Sequence, residues 1–67
     1  MSMTYLSGRE REVLQWAAEG KTASETATIL KVSTSAVNLY ASRAMLKLQA
    51  HTKAQAVAIA VRNAILN

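Results

Sequence analysis

Three short segments of this 67-residue chain share one pattern. Ser7-Gly8-Arg9-Glu10, Thr22-Ala23-Ser24-Glu25 and Thr52-Lys53-Ala54-Gln55 each place a hydroxyl residue three positions ahead of Glu or Gln. This spacing is the capping box: the hydroxyl oxygen accepts from the N3 amide, and the N3 side chain accepts from the N-cap amide. One match means little, because Ser and Thr are common. Three matches, each followed by apolar residues at helical spacing, mark helix starts. Ser33 marks a fourth as a plain N-cap, with Ala36 at N3 and so no reciprocal bond. Breakers are nearly absent, with no Pro and two Gly against thirteen Ala. The pattern predicts helices over 8–19, 23–30, 34–48 and 53–66, an all-α four-helix bundle in one domain covering 1–67.

The apolar positions assign faces to these helices. Val13, Leu14 and Ala17 turn inward on the first, before Gly20, which sits where a left-handed residue would end it. Ala27 and Leu30 pack on the second, with Ala23 and Ile29 beside them. Lys31-Val32-Ser33 is a tight connection with Val32 as its apolar plug. Val37, Ala41, Ala44 and Leu48 form one face of the third helix. Ala56, Val57, Ala60, Val61, Ala64 and Ile65 make an apolar stripe along the fourth.

Composition excludes several functions. There is no Cys, so neither a disulfide framework nor thiolate chemistry is available. His51 is the only His, which leaves no metal site among scattered carboxylates and no base near the Ser33-Thr34-Ser35 hydroxyls. No catalytic residue, metal or cofactor is expected, and the acids have simpler roles: Glu10 and Glu25 as caps, Glu12 and Glu19 at the surface. The longest uncharged stretch, 32–42, is too short and polar to span a membrane. No signal peptide is expected from 1–11, which lacks an apolar core. Surface binding to a membrane is weak too, since the fourth helix carries only Lys53 and Arg62 and no aromatic.

The net charge of +4 is unevenly placed. Up to Leu30 the charge is −1; from Lys31 onward Lys31, Arg43, Lys47, Lys53 and Arg62 give +5, with no acid at all. A purely basic half suits a polyanion, or simply a solvated surface. Two short helices joined by a three- or four-residue turn fit a helix-turn-helix, whose second helix enters the DNA major groove. An ordinary helical hairpin fits that geometry equally well.

The surface of the third helix bears on the choice. With the core positions removed, Thr34, Ser35, Asn38, Leu39, Ser42, Arg43, Leu46 and Lys47 face out. Asn38 matches adenine N6 and N7, Ser42 can serve several base edges, and Leu39 suits a thymine methyl. Thr34 and Ser35 offer hydroxyls and amides to a phosphate, and Arg43 and Lys47 would neutralise others. Leu46 joins this surface or sits at the rim of the core. No Arg faces out in the first two turns, which argues against guanine reading there.

At these residues the sequence resembles a known family. Leu6-Ser7-Gly8-Arg9-Glu10-Arg11-Glu12-Val13-Leu14, Ala18-Glu19-Gly20-Lys21-Thr22, Ile29-Leu30-Lys31-Val32-Ser33, Lys47-Leu48 and Ala56-Val57-Ala58-Ile59-Ala60 are similar to the LuxR/GerE-type helix-turn-helix domain over 6–66. Trp16 with Ala18-Glu19-Gly20-Lys21-Thr22 is closer to its quorum-sensing branch than to the response-regulator branch. The resemblance implies a tetrahelical DNA-binding domain, normally C-terminal to a larger sensing domain, in a cytoplasmic, nucleoid-associated bacterial transcription regulator. Base contacts would fall on Asn38, Leu39 and Ser42, and phosphate contacts on Lys21, Thr22, Ser33, Thr34, Ser35, Arg43 and Lys47. Double-stranded DNA would be the partner, with RNA polymerase as a further one. Helix 4 would form a homodimer through Ala56, Ala60 and Ala64, mixing core and dimer contacts. A signal ligand would bind a domain absent here. An interaction module that dimerises through helix 4 and binds another regulator is the competing function.

Four residues depart from the family pattern. Thr26 replaces Ile or Leu, Ala36 replaces Thr, Tyr40 replaces His, and Ala64 replaces a Gly that often ends helix 4. Ala64 therefore predicts a helix running closer to the C-terminus. Tyr40 is expected to pack its ring at the core edge.

Overall fold

Side-chain caps open every helix of the computed structural model, which describes residues 6–66. The elements are α1 (Gly8–Ala18), α2 (Ala23–Leu30), α3 (Thr34–Leu48) and α4 (Lys53–Arg62), with no strand among the described residues. Residues 1–5, part of the stretch read against a signal peptide, and Asn67 lie outside them. Ser7 and Thr22 form complete capping boxes with Glu10 and Glu25. Ser33 accepts from the Ala36 amide at 3.0 Å, with no return bond. The third expected box is only half made. Thr52 accepts from the Gln55 amide, but the Gln55 carbonyl oxygen takes the His51 amide instead. Thr52 has φ −137, against −68 and −75 at Ser7 and Thr22, so its own N–H points elsewhere.

All four helices end alike, on a residue in the left-handed region. These are Gly20, Lys31, Gln49 and Ala64, with φ of 89, 59, 56 and 59. In each case the next amide bonds back five residues: Lys21 to Trp16 O, Val32 to Ala27 O, Ala50 to Met45 O and Ile65 to Ala60 O. This is the Schellman arrangement, and in the last three an apolar residue follows the left-handed one and packs on the core. It corrects the expectation for helix 4, which stops at Arg62. Ala64 adopts the glycine conformation itself, and Asn63 Nδ2 donates to Ile59 O at 2.8 Å. Burial of Ile65 and Leu66 offsets the strain, about 1 kcal/mol for a non-glycine residue.

α1 and α3 each pack on every other helix. The core divides on either side of them. Leu14, Ala44, Leu48, Ala56 and Ala60 join Leu6 and Leu66 between α1, α3 and α4. Val13, Ala27, Val37 and Ala41 join α1, α2 and α3, with Leu30, Val32 and the ring of Tyr40 at the edge. Ile29, expected beside this cluster, is instead 40% exposed. Thr26 is buried in its place, and its hydroxyl donates to Thr22 O at 2.9 Å. An α-helical hydroxyl can satisfy itself this way on the preceding turn, so a polar residue is tolerated where an aliphatic one is common.

A polar contact links α1 and α3 across the fold. Glu10 Oε1, on a residue only 3% exposed, accepts from the Ser7 amide at 2.9 Å and from Lys47 Nζ at 2.8 Å. Burial alone would raise the Glu10 carboxyl. The hydrogen bonds from Lys47 and Ser7, with the charge of Lys47, outweigh it and hold the pKa below its ordinary 4.5. A carboxyl held low contributes stability that is present above its unfolded value and lost as pH falls through its folded one.

Two stability predictions follow from these contacts. Glu10→Gln should lower unfolding free energy at pH 7 by about 1–2 kcal/mol, a buried-pair loss reduced because Lys47 is partly solvated. In urea melts the gap between wild type and variant should narrow as pH falls below 4.5; a gap independent of pH would contradict the ionic role. At the helix ends, Gly20→Ala should destabilise by about 1 kcal/mol and Gln49→Gly should stabilise by up to about that amount.

Candidate nucleic-acid interface

Packing of α3 decides which of its residues face outward. Val37, Ala41, Ala44 and Leu48 are buried. At about 100° per residue, the line of Ser35, Leu39, Ser42 and Leu46 lies opposite them. All four are exposed, with Leu46 80% exposed rather than at the core rim. Asn38 and Arg43, also exposed, flank this line on opposite sides. The structure thus brings Asn38, Leu39, Ser42 and Arg43 onto one accessible face.

The N-termini of α2 and α3 differ in charge. At α2, Glu25 fills the first turn: its Oε1 accepts the Thr22 amide at 2.9 Å. That backbone hydrogen bond, partly opposed by burial and aided by the Thr22 hydroxyl and the charge of Lys21, lowers the Glu25 pKa. An anion reaching α2 would meet a carboxylate already in place, so Lys21 and the Thr22 hydroxyl are what remain for it. α3 has no acid in its first turn. Ala36 at N3 leaves its N-terminus, with exposed Ser33, Thr34 and Ser35, open to a negative group. The turn joining the helices is three residues, Lys31-Val32-Ser33. Lys31 in the left-handed conformation and half-buried Val32 lock it.

Lys47 has a different setting from Arg43. Its side chain is 32% exposed and bonded to Glu10, about 100° around the helix from the outward line. It braces α3 against α1. The residue pattern of α3 alone could not reveal this, because the partner stands 37 positions earlier.

The fourth helix requires a correction. Ala56 and Ala60, expected at a dimer contact, are completely buried against α1 and α3 and present no surface to a second chain. Ala64 is exposed but follows the helix end. The outward line is Ala54, Ala58 and Val61, which is 50% exposed. Both lines have helical spacing, and a helix apolar on two faces gives periodicity no means of choosing between them.

The likeness to known proteins is consistent along the chain. The model of the bacterial regulatory proteins of the luxR family, GerE, matches residues 4–60. The transcriptional activator protein SolR of Ralstonia solanacearum is 45% identical over 65 residues, covering 97% of this chain and 28% of SolR. The HTH-type quorum-sensing regulator RhlR of Pseudomonas aeruginosa is 47% identical over 55 residues, 82% of this chain and 23% of RhlR. This chain spans about a quarter of the length of such relatives. The solved structure of the transcription factor GerE superposes with a TM-score of 0.89 at 28% identity, covering 100% of this chain and 97% of that one. The chain belongs to the luxR family of bacterial regulatory proteins, and α2 and α3 are the helix-turn-helix of its DNA-binding domain.

Proposed function

We propose that this domain reads a palindromic DNA site as a symmetric dimer, within a longer quorum-sensing transcription regulator. The observation that carries this reading is the outward face of α3. It joins short polar readers to a helix N-terminus free of acid, in the half of the chain whose ionised side chains are all basic. The first turns of α3 would enter the major groove. There Asn38 would bond to adenine N6 and N7, with Leu39 and Ser42 beside it on base edges. Lys21, Thr22, Ser33, Thr34, Ser35 and Arg43 would hold the flanking phosphates and set the register. Lys47 would act chiefly by keeping α3 in place, and only secondarily on phosphate.

The dimer would form through the outer line of α4, Ala54, Ala58 and Val61, in place of the buried Ala56 and Ala60. Two α3 helices would then meet successive grooves about 10 bp apart. The names of the relatives, a transcriptional activator and a quorum-sensing regulator, support a role in which a sensing domain controls the reader and RNA polymerase is the eventual partner.

Selection of bound DNA from a random pool tests the reading, and an inverted repeat with that spacing is expected. Asn38→Ala should cost about 1–3 kcal/mol and relax one position of each half-site. Equal loss on all sequences would remove Asn38 from base reading. Arg43→Ala should weaken every sequence alike and reduce the steepness of the salt dependence by about one unit per protomer. Val61→Glu should leave the melting curve almost unchanged while abolishing cooperative binding to the full palindrome. Binding that stays cooperative would place the dimer contact elsewhere.

A further inference from the structure

Leu39 is the one exposed side chain in the first two turns of the reading face with no polar atom to offer a base. It lies on the outward line of α3, 48% exposed. Ser35 stands one turn before it, Ser42 and Arg43 follow within one turn, and Asn38 adjoins it. The serines are short, so they let the helix approach a groove floor closely and let Leu39 project beyond them. In a groove, an apolar side chain needs an apolar counterpart. Placed on a purine N7 or O6, or a cytosine N4, it would strip water and return no hydrogen bond. The major-groove edges of the four bases carry a single apolar group, the pyrimidine C5 methyl. Leucine also has no donor or acceptor with which to sense the atom at C4.

We infer that Leu39 reads the pyrimidine C5 methyl group as such, so that thymine and 5-methylcytosine are equivalent for its contact. A half-site with cytosine at that position therefore gains affinity when the cytosine is methylated at C5. The inference rests on α3 being the reading helix. It goes further by naming the chemical group that one residue detects and a DNA modification to which binding responds.

The test uses the half-site selected from the random pool. Each thymine in turn is replaced by deoxyuridine, which removes only the methyl, and separately by cytosine and by 5-methylcytosine paired with guanine. Affinities are read by fluorescence anisotropy. At one position, deoxyuridine should bind about fourfold more weakly per half-site, the effect of one methylene-sized group. There 5-methylcytosine should bind about fourfold more tightly than cytosine. In Leu39→Ala, whose helical circular dichroism should match wild type, both ratios should fall to one while binding persists. The inference is overturned if wild type binds a selected sequence but no thymine responds to loss of its methyl, or if Leu39→Ala keeps the response. A selected half-site lacking thymine overturns it and leaves α3 reading intact. Failure to select any sequence overturns both.

Discussion

A carboxylate oxygen ties α3 to α1 across the fold. Glu10 Oε1 takes the amide that opens α1 and the ammonium of Lys47 in the last turn of α3. Without the lysine, a nearly buried carboxylate would keep only its local cap bonds. Without the carboxylate, the partly exposed ammonium of Lys47 would turn towards solvent and its brace on α1 would be lost. Both halves of the core meet at the same two helices, so this contact bridges the pair of helices on which both packings depend. In a 67-residue domain, where burial is limited, that dependence is strong. It is also why a basic residue in the basic half of the chain is structural first.

Helix length is controlled from the other side, by where each helix is made to stop. Gly20 ends α1 at little expense, but Lys31, Gln49 and Ala64 take the left-handed conformation against their own preference. What holds them is the residue that follows. Val32, Ala50 and Ile65 each reach back onto the core, and their amides close the Schellman bond. At Lys31 the consequence is functional. The turn can be only three residues long because the left-handed residue reverses the chain at once and leaves Ser33 ready to cap α3. The same device sets the start of α3, so Asn38 and Leu39 lie in its second turn.

The parts of this architecture that are local in sequence are legible in it. The bounds of α2 and α3 follow from Thr22 and Ser33, because a cap is decided within four residues. The buried face of α3 follows from Val37, Ala41, Ala44 and Leu48, since its opposite side is polar enough to give contrast. α4 offers no such contrast: Ala56 and Ala60 read as core and dimer contact together but are core alone, and the helix ends before Ala64. Gln55 looks like a box-closing residue, yet the value of φ at Thr52 sends its oxygen to His51, and composition carries no trace of that dihedral. The second partner of Glu10 is invisible for a different reason: a residue that already satisfies a local motif gives no sign of a distant one. The polar outward face of α3 is legible as a surface. Their individual roles are chemical arguments from side-chain type.

The size of the α4 surface limits what this domain does alone. A stable protein–protein contact covers roughly 800 Å² on each partner, about a fifth of the 4149 Å² this chain exposes. α4 is ten residues, roughly 15 Å long, and its outward line is two alanines and a valine. Such a line permits close approach of two helices but supplies too little apolar area for tight pairing in solution. DNA changes the balance. In the proposed dimer, two copies on adjacent half-sites would bring their α4 helices together at the high effective concentration set by the site, and a weak contact would then add to affinity. A weak face suits the proposed function: a pair that held together unaided would bind its site at any protein concentration, whereas a pair completed on DNA would depend on both half-sites.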